Sequence, residues 1–190
     1  NGKTTVVIDT GPDFRQQMLN ASVANIDAVL YTHSHADHVH GIDDLRGYAM
    51  ANRKRVTIYA DAPTQVRLNE GFDYCFVQPE GSMYPPILKA YEMKAFQPVV
   101  VTGEGGDIHA LPVAQIHGSI PSLGFRFSTD GNFDAGGVCY SPDVSEIPET
   151  SVPSLVNLDC WILDALQYKM HSSHFSVSES LDWIGRMKPK

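Results

Sequence analysis

Cysteine is scarce in this chain. Cys75, Cys139 and Cys160 are all it has. The number is odd and no pair has metal-finger spacing. Neither a disulfide framework nor a zinc finger is therefore expected, and reduced, mostly buried thiols in a cytoplasmic setting fit better. Long apolar runs are missing too. No stretch approaches the ~20 residues needed to cross a bilayer, which argues against a membrane protein. Positive charge is the third shortage. Against 22 Asp and Glu stand 14 Lys and Arg, a formal net charge of -8. That argues against a broad basic surface for holding duplex nucleic acid. It does not exclude a small phosphate substrate, because bound cations can supply positive charge locally.

What is present reads as a single globular domain over 1–190, with 43% hydrophobic residues to build a core. No internal repeat, low-complexity run, linker or signal peptide is in view. Both ends read as clipped. Asn1-Gly2-Lys3 looks like a hairpin turn whose first strand is not shown, leading into a β-branched strand over 4–8. A helix over 14–19, a core strand over 26–31, a helix over 42–52, a strand over 56–60 and a helix over 62–69 follow. Residues 71–106 hold Pro79, Pro85, Pro86 and Pro98 and read as irregular, with one strand near 99–102. Strands are expected again over 110–116, 123–128, 137–140 and 160–163. A helix over 176–187 carries a capping box, Ser176 with Glu179, and an apolar stripe of Val177, Leu181 and Ile184. Strands and helices interleave throughout, which predicts an α/β or α+β class with covered sheets.

The chemistry concentrates in one place. Half of the eight histidines fall between positions 33 and 40, directly after a core strand. His33, His35, Asp37 and His38 put four potential ligands into six residues. Imidazoles with a carboxylate suit zinc, manganese or iron. In a tight loop, His33 and His35 can serve one metal while Asp37 and His38 serve its neighbour. Asp9 precedes Gly11 at a strand end, where it either fixes a histidine tautomer or caps a turn.

Thr32-His33-Ser34-His35-Ala36-Asp37-His38 after an apolar strand resembles the signature of the metallo-β-lactamase superfamily, and the resemblance extends over nearly the whole chain. It implies a four-layer αββα sandwich and two divalent metal ions, zinc or manganese. On that resemblance Asp9, in Ile8-Asp9-Thr10-Gly11, braces the metal loop. His117, at a strand end, joins His33 and His35 on the first metal. Asp143, in Tyr140-Ser141-Pro142-Asp143, bridges both metals. His109 precedes its strand and reads as exposed, and Asp130 and Asp134 read as turn formers. The family's last ligand is a histidine after a C-terminal strand. It is absent, so the second metal is expected to be one ligand short in this chain.

Val39-His40-Gly41-Ile42-Asp43-Asp44-Leu45-Arg46, together with Asp164-Ala165-Leu166 and Met170-His171-Ser172-Ser173-His174-Phe175, resembles the phosphodiesterase branch. Its type is the cyclic phosphodiesterase of the carbon–phosphorus lyase pathway, and ribonuclease Z is a relative. The resemblance implies hydrolysis of a small cyclic phosphate or nucleotide phosphodiester by a metal-bridging hydroxide. Asp37 would be ligand and orienter of that nucleophile. His174 would contact the substrate and protonate the leaving oxygen. Ser173 and Arg46 are further candidates for substrate contact, although Arg46 on a helix is equally a solvated charge. His171 and Asp164 are expected to support the site from behind, and His40 to lie outside it or at the surface. Met170 stands where relatives more often have proline. The expected partner is a small phosphodiester or nucleotide, with a homodimer as a candidate assembly. The competing readings are a tRNA 3′-processing endonuclease, a thioester or lactam hydrolase, and a non-catalytic nucleotide-binding or metal-storage protein.

Overall fold

The computed structural model describes residues 2–190. The turn expected at Asn1-Gly2-Lys3 begins on Asn1, which lies outside them. The chain folds into two compact units. The first runs to Met93 and adds Thr102–Gly106; the second comprises Lys94–Val101 and Asp107–Lys190.

The first unit is a four-stranded parallel sheet, in the order β1 (Val6–Ile8), β2 (Ala28–Leu30), β3 (Val56–Ala60) and β4 (Leu88–Glu92). Parallel neighbours require crossover connections, and helices supply them. These are α1 (Phe14–Asn20), α2 (Ala36–Val39) with α3 (Leu45–Asn52), and α4 (Ala62–Phe72). Ala28, Val29 and Leu30 of β2 are all fully buried, as expected of a strand flanked on both sides within a parallel sheet. Phe14, Tyr31, Ile42, Leu45, Ile58, Leu68 and Leu88 form its core. The Asp61 side chain caps α4 by accepting the Thr64 N–H at 2.9 Å, with Pro63 in the first turn.

Two expectations for this unit need correction. The helix over 42–52 is divided into a 3₁₀ turn, Ile42–Asp44, and α3. The strand β4 falls in the stretch read as irregular. Leu88-Lys89-Ala90-Tyr91-Glu92 has little intrinsic strand preference, and a five-residue ladder to β3 holds it in place.

The second unit is a five-stranded sheet in the order β5 (Val99–Val101), β6 (Ile108–His117), β7 (Ile120–Ser128), β8 (Val138–Ser141) and β9 (Cys160–Leu163). Pairing is antiparallel from β5 to β8, and β8 pairs parallel with β9. The directions matter for the site. β6, β8 and β9 all run the same way, so their C-terminal ends meet at one sheet edge. Gly118, with φ +62°, opens the two-residue turn joining β6 to β7, as a type II′ hairpin demands. Pro112 sits inside β6 because its missing N–H faces the side where β5 has already ended.

Val113, Cys139, Val144, Leu155, Leu158, Trp161 and Phe175 form the core of this unit. The buried Arg126 guanidinium ties a 3₁₀ helix to a loop by donating to Ser154 O at 3.0 Å and Gly136 O at 2.7 Å. Helix α5 (Val177–Met187) starts at the expected capping box of Ser176 and Glu179. Its stripe is a correction. Leu181 and Ile184 are exposed, while Ser180, Trp183 and Met187 turn inward. The Ser180 hydroxyl sits inward because it donates to the Asp164 carbonyl. Among the described residues, no helix is long and apolar enough to cross a membrane.

Candidate metal centre

In the first unit the chain leaves β2 at Leu30 and delivers Thr32 and His33 at the carboxyl edge of the parallel sheet, where Asp9 also emerges from β1. Asp9 adopts φ +60°, a left-handed conformation that turns its carboxylate back over the neighbouring strand end. There it accepts the Thr32 N–H and the Thr32 hydroxyl, both at 2.8 Å, and meets His38 Nδ1 at 2.7 Å. Burial pushes this carboxyl above its ordinary range, and the His38 and Thr32 hydrogen bonds pull it back.

Thr32 is a second organiser, because its hydroxyl also lies 3.0 Å from His33 Nδ1. The rings of His33 and His35 stand 4.7 Å apart, and those of His33 and His38 4.2 Å. Asp37 and His38 sit on the short helix α2 rather than in an open loop. Asp37 is exposed, with its carboxylate 3.6 Å from His38 Nε2. Main-chain bonds from Thr10 N to His38 O and from Gly41 N to Thr10 O, both 2.8 Å, lock the loop to β1. A Cβ at Gly41 would stand 2.2 Å from the Gly11 carbonyl oxygen, so only glycine allows this approach.

In the second unit, three strand ends each contribute one group. His117 closes β6, Asp143 follows β8 by two residues, and Asp164 follows β9. His117 Nδ1 donates to the Ser173 carbonyl at 2.5 Å. His174 Nδ1 meets Asp164 Oδ2 at 2.8 Å, and that same oxygen accepts the Val144 N–H at 3.2 Å. Asp143 Oδ2 then lies 3.6 Å from His117 Nε2 and 3.8 Å from His174 Nε2. His117, Asp143 and His174 each offer a ligand atom within 4.8 Å of the others. His171 is exposed. Its ring is 5.3 Å from that of His174, and its Nδ1 accepts the Ser173 N–H at 3.3 Å.

The donor set fits divalent metals. His33, His38, His117 and His174 all have Nδ1 tied by a hydrogen bond, which sets Nε2 as the presented donor. The remaining ligand atoms are hard carboxylate oxygens. Each unit gathers its own share of the expected residues. Arg46 keeps other company, since it bonds Asp43 Oδ1 at 2.7 Å and lines grooves that include none of the histidine-loop residues. His109 lies at the opposite end of β6 from His117. Two contributions were not foreseen in the sequence, where Ser173 was named only as a candidate for substrate contact. Thr32 is visible as the residue before the first ligand, whereas the Ser173 contribution is a main-chain carbonyl and leaves no mark in a side chain. Of the thiols, Cys75 and Cys139 are buried, Cys160 is exposed, and all are free.

Residues 4–190 match the model of the beta-lactamase superfamily domain, and the chain belongs to that family. Its fold is the metallo-β-lactamase fold, and its sequence is similar to particular members. A solved diphosphatase of the PhnP family is 33% identical, with a TM-score of 0.82, over 97% of this chain and 65% of that one. An octanoyltransferase of Porphyromonas gingivalis (strain ATCC BAA-308 / W83) is 31% identical over 96% of this chain but only 34% of its own length. Human tRNase Z, short form, is 14% identical with a TM-score of 0.65 over 97% of this chain and 78% of that one, which is a likeness of fold. The chain thus spans about two thirds of the diphosphatase and one third of the octanoyltransferase.

Proposed function

We propose that this chain is a metal-dependent phosphodiesterase acting on a small cyclic phosphate or nucleotide phosphodiester. His33, His35 and His117 would hold one ion; Asp37 and His38 would hold a second, with Asp143 shared. Bound there, divalent ions lower the pKa of water towards neutrality and offset charge on phosphoryl oxygens. The protein's own part is orientation and proton transfer. Asp9 and Thr32 set His38 and His33, and the Ser173 carbonyl sets His117. Asp37 orients the attacking water.

The observation that carries the reading is His174. A carboxylate fixes its Nδ1 at 2.8 Å, and its Nε2 faces the Asp143 side. A histidine oriented in this way can hold a proton on Nε2 and hand it to the leaving oxygen of a phosphodiester. The likeness to the PhnP-family diphosphatase supports hydrolysis at a phosphoryl group. The name of the Porphyromonas relative favours a second reading, a hydrolase of thioesters or other acyl compounds.

The test is hydrolysis of bis(p-nitrophenyl) phosphate, 2′,3′-cyclic nucleotides, an acyl thioester and a β-lactam, with zinc or manganese and after chelation. Metal-dependent cleavage of the phosphodiesters is the expected result. Turnover confined to the thioester or lactam would overturn it. Metal and nucleotide binding without any turnover would favour a binding protein.

A further inference from the structure

We propose that a cavity of about 440 Å³ beside the histidine loop is a subsite for the nucleoside part of the substrate, its ribose and base. The proposal rests on the phosphodiesterase reading and names the substrate class within it. Place is the first argument. One wall of the cavity is Ser34, between His33 and His35 in the chain, with His40, two residues beyond His38. The facing wall is the end of α4, with Arg67, Glu70 and Phe72. A group seated here lies against the loop that carries the first-motif ligands. Three other grooves of this unit, two of them larger, include none of those loop residues.

Chemistry is the second argument. Arg67 Nη1 and Glu70 Oε2 pair at 3.1 Å, and both side chains are more than half exposed. An exposed pair of this kind is held weakly and exchanges partners readily. Together the two offer a donor fork and an acceptor carboxylate. That combination suits vicinal hydroxyls, which both give and take hydrogen bonds. A second phosphate fits poorly, because it would meet the Glu70 carboxylate. A purely apolar group fits poorly too, because it would strand both charges. Phe72 and His40 add aromatic rings to the lining, their centroids 5.9 Å apart and their planes at 73°. Aromatic faces accept flat heterocycles with little regard to base identity. Hydroxyl recognition next to a stacking surface is what a nucleoside requires, and the volume lies within the range of small-molecule pockets.

Two measurements on the metal-loaded protein test this. The first compares 2′,3′-cyclic AMP with methyl p-nitrophenyl phosphate, which has no nucleoside. The variants are Arg67→Ala and Glu70→Ala, which alter exposed side chains, and Phe72→Leu, which keeps apolar volume. KM for the nucleotide is expected to rise about tenfold while kcat stays within about twofold, as loss of binding shared by ground and transition states requires. KM for methyl p-nitrophenyl phosphate is expected to stay unchanged. The second measurement is saturation-transfer NMR of adenosine with the wild type, expected to show contact that Glu70→Ala and Phe72→Leu weaken. Equal changes on both substrates, or an adenosine signal indifferent to the variants, would overturn the subsite. If neither phosphodiester is cleaved while adenosine contact is lost in the variants, the subsite stands and the phosphodiesterase reading falls.

Discussion

The two units assemble their candidate metal-site residues in opposite ways. In the first, His33, His35, Asp37 and His38 come from six consecutive residues, and Asp9 and Thr32 brace them. In the second, His117, Asp143 and His174 come from positions 26 and 31 residues apart, brought together because β6, β8 and β9 end at one edge. A local motif depends on a loop's conformation, whereas a dispersed cluster depends on strand order and direction. The two should therefore respond differently to damage.

The largest effect is expected where the two agree. His33→Ala and His117→Ala should each lose bound metal and abolish turnover, with metal counted by plasma mass spectrometry. Retention of full metal content in either variant would remove that residue from the ligand set. His174→Ala separates the halves. It should lower kcat by ~10²–10⁴-fold with metal content intact, the usual contribution of a positioned acid. Metal loss in that variant would make His174 a ligand instead. Asp9→Ala should weaken metal binding by about 10- to 100-fold, the usual cost of removing a ligand's hydrogen-bond partner. Asp164→Ala should leave metal affinity near normal and lower kcat. Equal metal losses in both would erase the contrast between the units.

A smaller effect concerns the buried thiols, one in each unit. Burial pushes Cys75 up to about 11 and Cys139 up to about 12. An unfolded chain ionises its thiols near their ordinary value, so between there and these raised values the folded protein retains protons that the unfolded chain releases. Stability should fall as pH rises through that window, and below it the thiols should make no difference. Circular dichroism against pH would show this, and Cys139→Ala should flatten its share of the loss. The smallest effect is expected of Arg46→Ala. Arg46 is engaged with Asp43, and kcat and KM should both stay within about twofold, as for an exposed pair. A larger rise in KM would show that Arg46 reaches the substrate.

The same contrast explains what the sequence disclosed. The histidine loop was legible because its candidate ligands share one short stretch, and β2 before it is an unbroken apolar run. His117 and Asp143 were reachable only through resemblance, since nothing local distinguishes a strand-end histidine that meets Asp143 from one that faces solvent. β4 was missed because most of its residues have little preference for a strand, and its order comes from β3. The α5 stripe misled because Leu181 and Ile184 satisfy the helical period, while the face turned inward is chosen by Ser180, Trp183 and Met187. A helix presents every period-matching face to the reader, and only the neighbouring core selects one.

The bond from His117 to the Ser173 carbonyl has a consequence for mutational surveys. Any amino acid at position 173 carries that carbonyl, so substitution scans should record the site as tolerant. Its neighbour should record the opposite, because a side chain at Gly118 would press within 2.9 Å of the Ser173 Cβ and move the peptide that the imidazole depends on. The contact is best probed by chemistry on the backbone itself. An ester in place of the amide between residues 173 and 174 would weaken the acceptor while leaving every side chain unchanged.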